Sequence, residues 1–146
     1  AINSIQSFIL QNKRKEANFY LTEFAKLIRM ILNNSRKKDV SIQEEIKLLK
    51  IYTQLESQRL TSPIQFAIKV DNQIDTQEVL IPTMLLQPIV ENAIWHGLSE
   101  VEKNKILKIE FSKKNHTLII KIFNNGKPFV SNQNNTKEHT SQGLQI

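Results

Sequence analysis

The stretch LLQPIVENAIWHG, Leu85–Gly97, sets a carboxylate, a carboxamide, an indole and an imidazole within six residues of an apolar run that stops on glycine. Pro82 suits the first turn of a helix, whereas Pro88 removes one backbone bond and restarts it, which leaves Pro88–Leu98 as a helical unit. At 100° per residue from Glu91, Trp95 falls near about 40°, Asn92 near about 100° and His96 near about 140°. Ile89, Val90, Ala93, Ile94 and Leu98 fill the opposite arc. One face is built for a core and the other is chemically mixed. An amphipathic surface helix with Gly97 as its C-cap explains the spacing. It does not explain the composition, because solvated faces favour Lys, Glu and Gln, and Asn is a poor helix former.

Upstream the apolar period is helical. Ile2, Ile5 and Ile9 mark the end of one helix, and Tyr20, Phe24, Leu27 and Ile31 a second. NNSRKKD connects it to a third, headed by Ser41 as N-cap with Glu44 closing a capping box, and continued by Ile42, Ile46 and Leu49. Three one-sided helices imply a hairpin or bundle, with a second copy of the chain as a natural partner.

After TSP (Thr61–Pro63) the period becomes 2: Ile64, Phe66, Ile68, Val70, then Leu107, Ile109, Phe111, then Leu118, Ile120, Ile122. The last two strands are joined by SKKNH, a length suited to an antiparallel hairpin. The expectation is an α+β fold with helices on one face of a mixed sheet. From Asn124 the chain turns polar, which predicts a long loop.

Composition narrows the classes. A chain of 146 residues without cysteine holds about one domain, or two small ones, and no disulfide or thiolate metal site. No apolar run reaches the roughly 20 residues that span a bilayer, and no signal-peptide layout opens the chain; the expectation is a soluble, cytoplasmic protein. Residues 1–60 hold 11 Lys/Arg against 6 Asp/Glu, and residues 61–146 hold 9 against 8. Basic residues alternating with Glu on helices read first as a solvated face, and no aromatic-basic stacking pattern marks a nucleic-acid binder. There is no nucleophile elbow and no metal-ligand cluster.

LLQPIVENAIWHG resembles the N box of sensor histidine kinases that pair with LytTR-type response regulators. SIQEEIKLLKIYTQLESQRL (Ser41–Leu60) resembles the second dimerisation helix of that family, and AINSIQSFI (Ala1–Ile9) the segment after its phosphoacceptor motif. The resemblance implies a helical dimerisation and phosphotransfer region, residues 1–62, followed by a Bergerat-type ATP-binding α/β sandwich, residues 63–146, cut short at its C-terminus. It assigns Asn92 to Mg²⁺ bridging the ATP phosphates, a role a neutral carboxamide can fill because the triphosphate supplies the charge. Glu91 takes the acidic position that polarises the acceptor histidine, and His96 reaches phosphate or caps the helix end.

The family's adenine-binding D-N-G-x-G is represented by NNGKP, Asn124–Pro128, with Asn124 for the Asp and Pro128 for the second Gly. Asn124 and Gly126 are therefore nucleotide-binding candidates, against an ordinary Asn-Gly turn with positive φ. SQGLQI, with Gly143 and Leu144, resembles the start of a phosphate-binding turn that feeds a helix N-terminus. His116 and His139 read as surface residues. The resemblance also implies ATP and Mg²⁺ as cofactors, a homodimer through the N-terminal helices, a response regulator as partner, an acceptor histidine upstream of Ala1, and no direct nucleic-acid contact; membrane anchoring of the parent stays open. The alternative is a degenerate, non-catalytic dimeric scaffold.

Overall fold

The computed structural model describes residues 2–127 and the backbone of residues 143–145. Helices α1 (Ile2–Leu10) and α2 (Arg14–Ser35) lead to a short strand β1 (Asp39–Ser41) and helix α3 (Ile42–Arg59). Strands β2 (Ile64–Val70) and β3 (Leu80–Pro82), helix α4 (Gln87–Asn92), a π-helical turn (Ala93–Leu98), and strands β4 (Lys105–Lys114), β5 (Thr117–Asn124) and β6 (Gly143–Gln145) follow.

The α+β class and the mixed sheet are as expected. β2 pairs parallel with β4, which pairs antiparallel with β5, giving the order β2-β4-β5-β6. The hairpin is tighter than SKKNH suggested: the strands run to Lys114 and resume at Thr117, and Asn115 takes φ 56° in the two-residue turn. Asn tolerates that left-handed conformation at low cost.

Ser41 caps α3 as its sequence dictates, with its hydroxyl accepting from the Glu44 N–H at 3.1 Å and Glu44 accepting from the Ser41 N–H at 3.1 Å. Yet the connector before it is not simply a loop. Asp39–Ser41 forms a strand paired antiparallel with β3, and Thr83 adds two bonds to the same corner, N–H to Lys38 O at 3.0 Å and hydroxyl to Lys37 O at 2.8 Å. Pro82 therefore ends a strand instead of starting a helix, and Pro88 takes the first-turn position of α4.

The core is shared between helices and sheet. Leu48, Leu49, Ile51, Tyr52 and Leu55 of α3 are buried together with Ile94 and Leu98 of the π-helical turn, Leu107, Ile109 and Phe111 of β4, and Ile120 of β5. α3 thus carries apolar residues on more than the one stripe read from Ile42, Ile46 and Leu49, because it packs both on α2 and on β2. α2 keeps a second apolar stripe, Leu21, Ile28 and Leu32, exposed.

Candidate functional site

The helix that follows Leu86 presents the mixed face foreseen for it. Asn92 and His96 are exposed, Glu91 is half-buried, and Val90, Ile94 and Leu98 are fully buried on the other side. Its second half is not a regular α-helix. From Ala93 to Leu98 it widens into a π-helical turn, an irregularity frequent at functional sites because it turns side chains off the 100° wheel.

Gly97 is not an αL cap; among the described residues no glycine has positive φ, and Ser99 closes the turn in an αR conformation. Close approach explains the glycine instead. Alternation along β5 places Leu118, Ile120 and Ile122 toward the helices, so Asn124, the next residue in that row, faces them as well. A Cβ on Gly97 would stand 2.6 Å from Asn124 Oδ1, and one on Gly126 would run into the carbonyl of Gly97. The chain after β5 is sealed to the helix end by Lys127 N–H donating to Gly97 O at 3.2 Å and by a Lys127–Glu100 ion pair. Two motifs nearly thirty residues apart therefore meet backbone to backbone, and the positive-φ Asn-Gly turn is not what forms.

Each asparagine of that turn has a distinct task. Asn124 Oδ1 accepts from the Gly126 N–H at 2.9 Å. Asn125 ties the end of β5 to the start of β4, accepting from Ile106 N–H at 2.8 Å and donating to Asn104 O at 2.7 Å.

The helix end is held by a residue the sequence reading passed over. Lys105 is fully buried, and its ammonium donates to Leu98 O at 2.9 Å and to Val101 O. It adds a second donor to Leu98 O, the last carbonyl of the helix, which also accepts from the Val101 N–H at 3.1 Å, and ties in Val101 O just beyond, with its charge at the negative end of the helix dipole. The capping role weighed for His96 thus belongs to Lys105. The signal was present in the period-2 series Lys105, Leu107, Ile109, Phe111, which puts the lysine on the core face of β4.

α3 lies along the site helix. At one end Glu45 is buried close to Leu86, and burial pushes its carboxyl pKa up to about 7. At the other, the Arg59 guanidinium stacks 4.0 Å from the centre of the Trp95 ring while pairing with Glu56 at 2.7 Å. Burial and then the nearby Glu56 push the Tyr52 hydroxyl well above its ordinary range. Trp95 is 49% exposed, so it is partly packing and partly surface.

Several expected residues fall elsewhere. Gly143 and Leu144 lie in β6, opposite Lys121 and Ile120 of β5, not in a turn feeding a helix. The physical reason is that β5 offers an open edge whose N–H and C=O groups a third strand satisfies. Pro128 and His139 lie outside the described residues, and His116 sits in the hairpin turn. Among the described residues no three His, Asp or Glu side chains cluster to hold a metal. A divalent cation would arrive with phosphate oxygens supplying most of its shell and Asn92 adding one carbonyl ligand, which suits Mg²⁺. No helix among the described residues is long and apolar enough to cross a membrane.

Comparison with known proteins adds to this geometry. Residues 1–64 match the family model described as histidine kinase. The sensor protein LytS of Staphylococcus epidermidis (strain ATCC 12228 / FDA PCI 1200) is 28% identical over 141 residues, covering 97% of this chain and 23% of that protein. LytS of Oceanobacillus iheyensis is 29% identical over 121 residues, 83% of this chain and 20% of that protein. The sensor histidine kinase BtsS of Escherichia coli (strain K12) is 29% identical over 128 residues, 86% of this chain and 22% of that protein. The chain spans less than a quarter of the length of these relatives. Among solved structures, that of histidine kinase ThkA in complex with response regulator protein TrrA aligns with TM-score 0.45 and 15% identity over 88% of this chain and 42% of that one.

Proposed function

We propose, on the premise that this chain belongs with the LytS-like sensor histidine kinases, that it is the core of an ATP-dependent protein-histidine kinase with a Bergerat-type nucleotide site. Asn92 meets Mg²⁺ on the triphosphate, Glu91 polarises the acceptor histidine, and His96 faces phosphate from the exposed side of the same helix. Asn124 and Gly126 form the base end of the site, with Gly143 and Leu144 on its far strand. The γ-phosphoryl group passes to a histidine upstream of Ala1 and then to an aspartate of a response regulator.

The observation that supports this reading best is the close approach of Gly97 to Asn124 and Gly126. It brings the end of the helix bearing Glu91 and Asn92 against the asparagine-glycine turn, as a site gripping phosphates at one end and a base at the other requires. The domain division at residues 62/63 follows the same reading, with α1 and α2 forming the homodimer through exposed Ile9, Leu10, Leu21, Ile28 and Leu32.

A second reading, a non-catalytic dimeric scaffold, has its own support in Asn124, whose Oδ1 already accepts from the Gly126 N–H. Calorimetric titration of the chain with a non-hydrolysable ATP analogue, with and without Mg²⁺, separates the two. Magnesium-dependent binding that disappears in Asn92→Ala is the expected result. Absence of binding, in this chain and in one extended at its C-terminus, would leave the scaffold.

A further inference from the structure

Asn125–Gly126 is the one asparagine–glycine pair in the sequence, and the fold requires each half of it for a different reason. A Cβ on Gly126 would stand 1.8 Å from Gly97 O, so a side chain has no room there. The Asn125 side chain accepts from the Ile106 N–H at 2.8 Å and donates to Asn104 O at 2.7 Å. A carboxamide does both at once, whereas a carboxylate only accepts. Packing and hydrogen bonding thus put together a chemically labile pair. The backbone nitrogen of a glycine has no Cβ beside it to hinder its approach to the preceding side chain, and Asn125 is exposed to the water that the reaction consumes.

We propose that Asn125 is a spontaneous deamidation site that the folded turn holds latent, and that its modification releases the turn from the site helix. In the first step the Gly126 nitrogen gives up its proton and attacks Asn125 Cγ. The Cγ–Nδ2 bond breaks, the amide nitrogen leaves as ammonia, and a cyclic imide remains. Water then opens one or the other C–N bond of the imide, giving aspartate or isoaspartate at position 125.

Three hydrogen bonds oppose the first step. The Gly126 N–H that must lose its proton donates to Asn124 Oδ1 at 2.9 Å, and the Asn125 carboxamide cannot turn toward that nitrogen without leaving Ile106 and Asn104. Cyclisation therefore waits for local opening of the β4–β5 junction. The product no longer fits. A carboxylate at position 125 still accepts from Ile106, but its second oxygen meets Asn104 O, acceptor against acceptor. Isoaspartate routes the backbone through Cβ and adds a methylene ahead of Gly126, where the Gly97 carbonyl leaves no space. Either product loosens the turn that the Lys127 N–H ties to Gly97 O at 3.2 Å. The chemistry stands apart from the proposed nucleotide site; only its consequence there, loss of the base end, rests on that reading.

The test incubates the whole chain at mildly alkaline pH, folded and in urea, and follows aspartate and isoaspartate at position 125 by peptide mapping and mass spectrometry. In urea Asn125 converts faster than any other asparagine. In the folded chain its conversion is slower by on the order of a hundredfold, the weight of three hydrogen bonds at their usual net strength. Asn124→Ala, which frees the Gly126 N–H, speeds conversion in the folded chain several-fold. Asn125→Asp, which carries the product carboxylate from the start, loses hydrogen-exchange protection at the Lys127 amide, a comparison that stands whether or not Asn124→Ala folds. A folded chain that converts as fast as the unfolded one, an unfolded chain in which another asparagine is faster, a folded Asn124→Ala that converts no faster than wild type, or full Lys127 protection in Asn125→Asp would overturn the proposal. None of these readouts involves nucleotide, so failure of wild type to bind magnesium and nucleotide overturns the functional reading alone.

Discussion

Asn124 Oδ1 lies 2.6 Å from the position a Cβ on Gly97 would occupy, so the last inward residue of β5 rests on the backbone of the site helix. Adding that methyl group by Gly97→Ala forces the asparagine or the helix to move. The expected cost is about 1–3 kcal/mol, typical of overpacking, with nucleotide affinity falling in parallel. Chemical denaturation and calorimetric titration of the same variant measure both, and an unchanged midpoint would show that the contact relaxes freely.

Asn92 is exposed and lies on the mixed face. Asn92→Ala should shift stability by no more than about 0.5 kcal/mol, as surface substitutions do, while abolishing the magnesium dependence of nucleotide binding. A large stability loss would assign the side chain a packing role and weaken the site assignment.

Glu45 carries a pH signature of known sign. Its folded pKa of about 7 is above the unfolded value of 4.5, so the folded state holds the extra proton. Stability is greatest below pH about 4.5, declines as pH rises toward 7 and levels off above it. The shift corresponds to about 3 kcal/mol at 1.36 kcal/mol per unit. Glu45→Gln should match wild type near pH 4.5 and exceed it by up to that amount at pH 8. Denaturation midpoints that differ equally at both pH values would refute the linkage.

Lys105→Met removes the donor from Leu98 O and Val101 O. Leu98 O keeps the Val101 N–H at 3.1 Å, so it is the loss of the donor to Val101 O that should cost about 1–3 kcal/mol and loosen the π-helical turn. Hydrogen exchange at Ile94–Leu98 reads that loosening directly; unchanged protection would mean that solvent or another group takes over the cap.

Trp95 is the single tryptophan, and Arg59 stacks on it. Arg59→Ala should cost about 0.5–1 kcal/mol of cation–π attraction and shift the emission of an indole otherwise unaltered. The same emission should respond to Mg-ATP analogue in wild type. Indifference to Arg59→Ala would place the guanidinium elsewhere in solution.

Much of this protein was legible in residue order alone. The Ser41–Glu44 capping box, the helical stripe of α2 and the period-2 runs of β2, β4 and β5 rest on local geometry, in which neighbours three, four or two apart decide the outcome. Glu91, Asn92 and His96 on the face opposite Val90, Ile94 and Leu98 follow from the same arithmetic. What local spacing does not contain is which distant backbone comes near. Only the tertiary structure decided that Gly97 serves close packing on Asn124 and Gly126 instead of a cap, that Pro82 ends a strand because β1 pairs with β3, and that Lys105 turns inward to hold the helix end. Each depends on a partner many residues away, and hydrogen bonds and steric exclusion between such partners exist only once the core has brought them together.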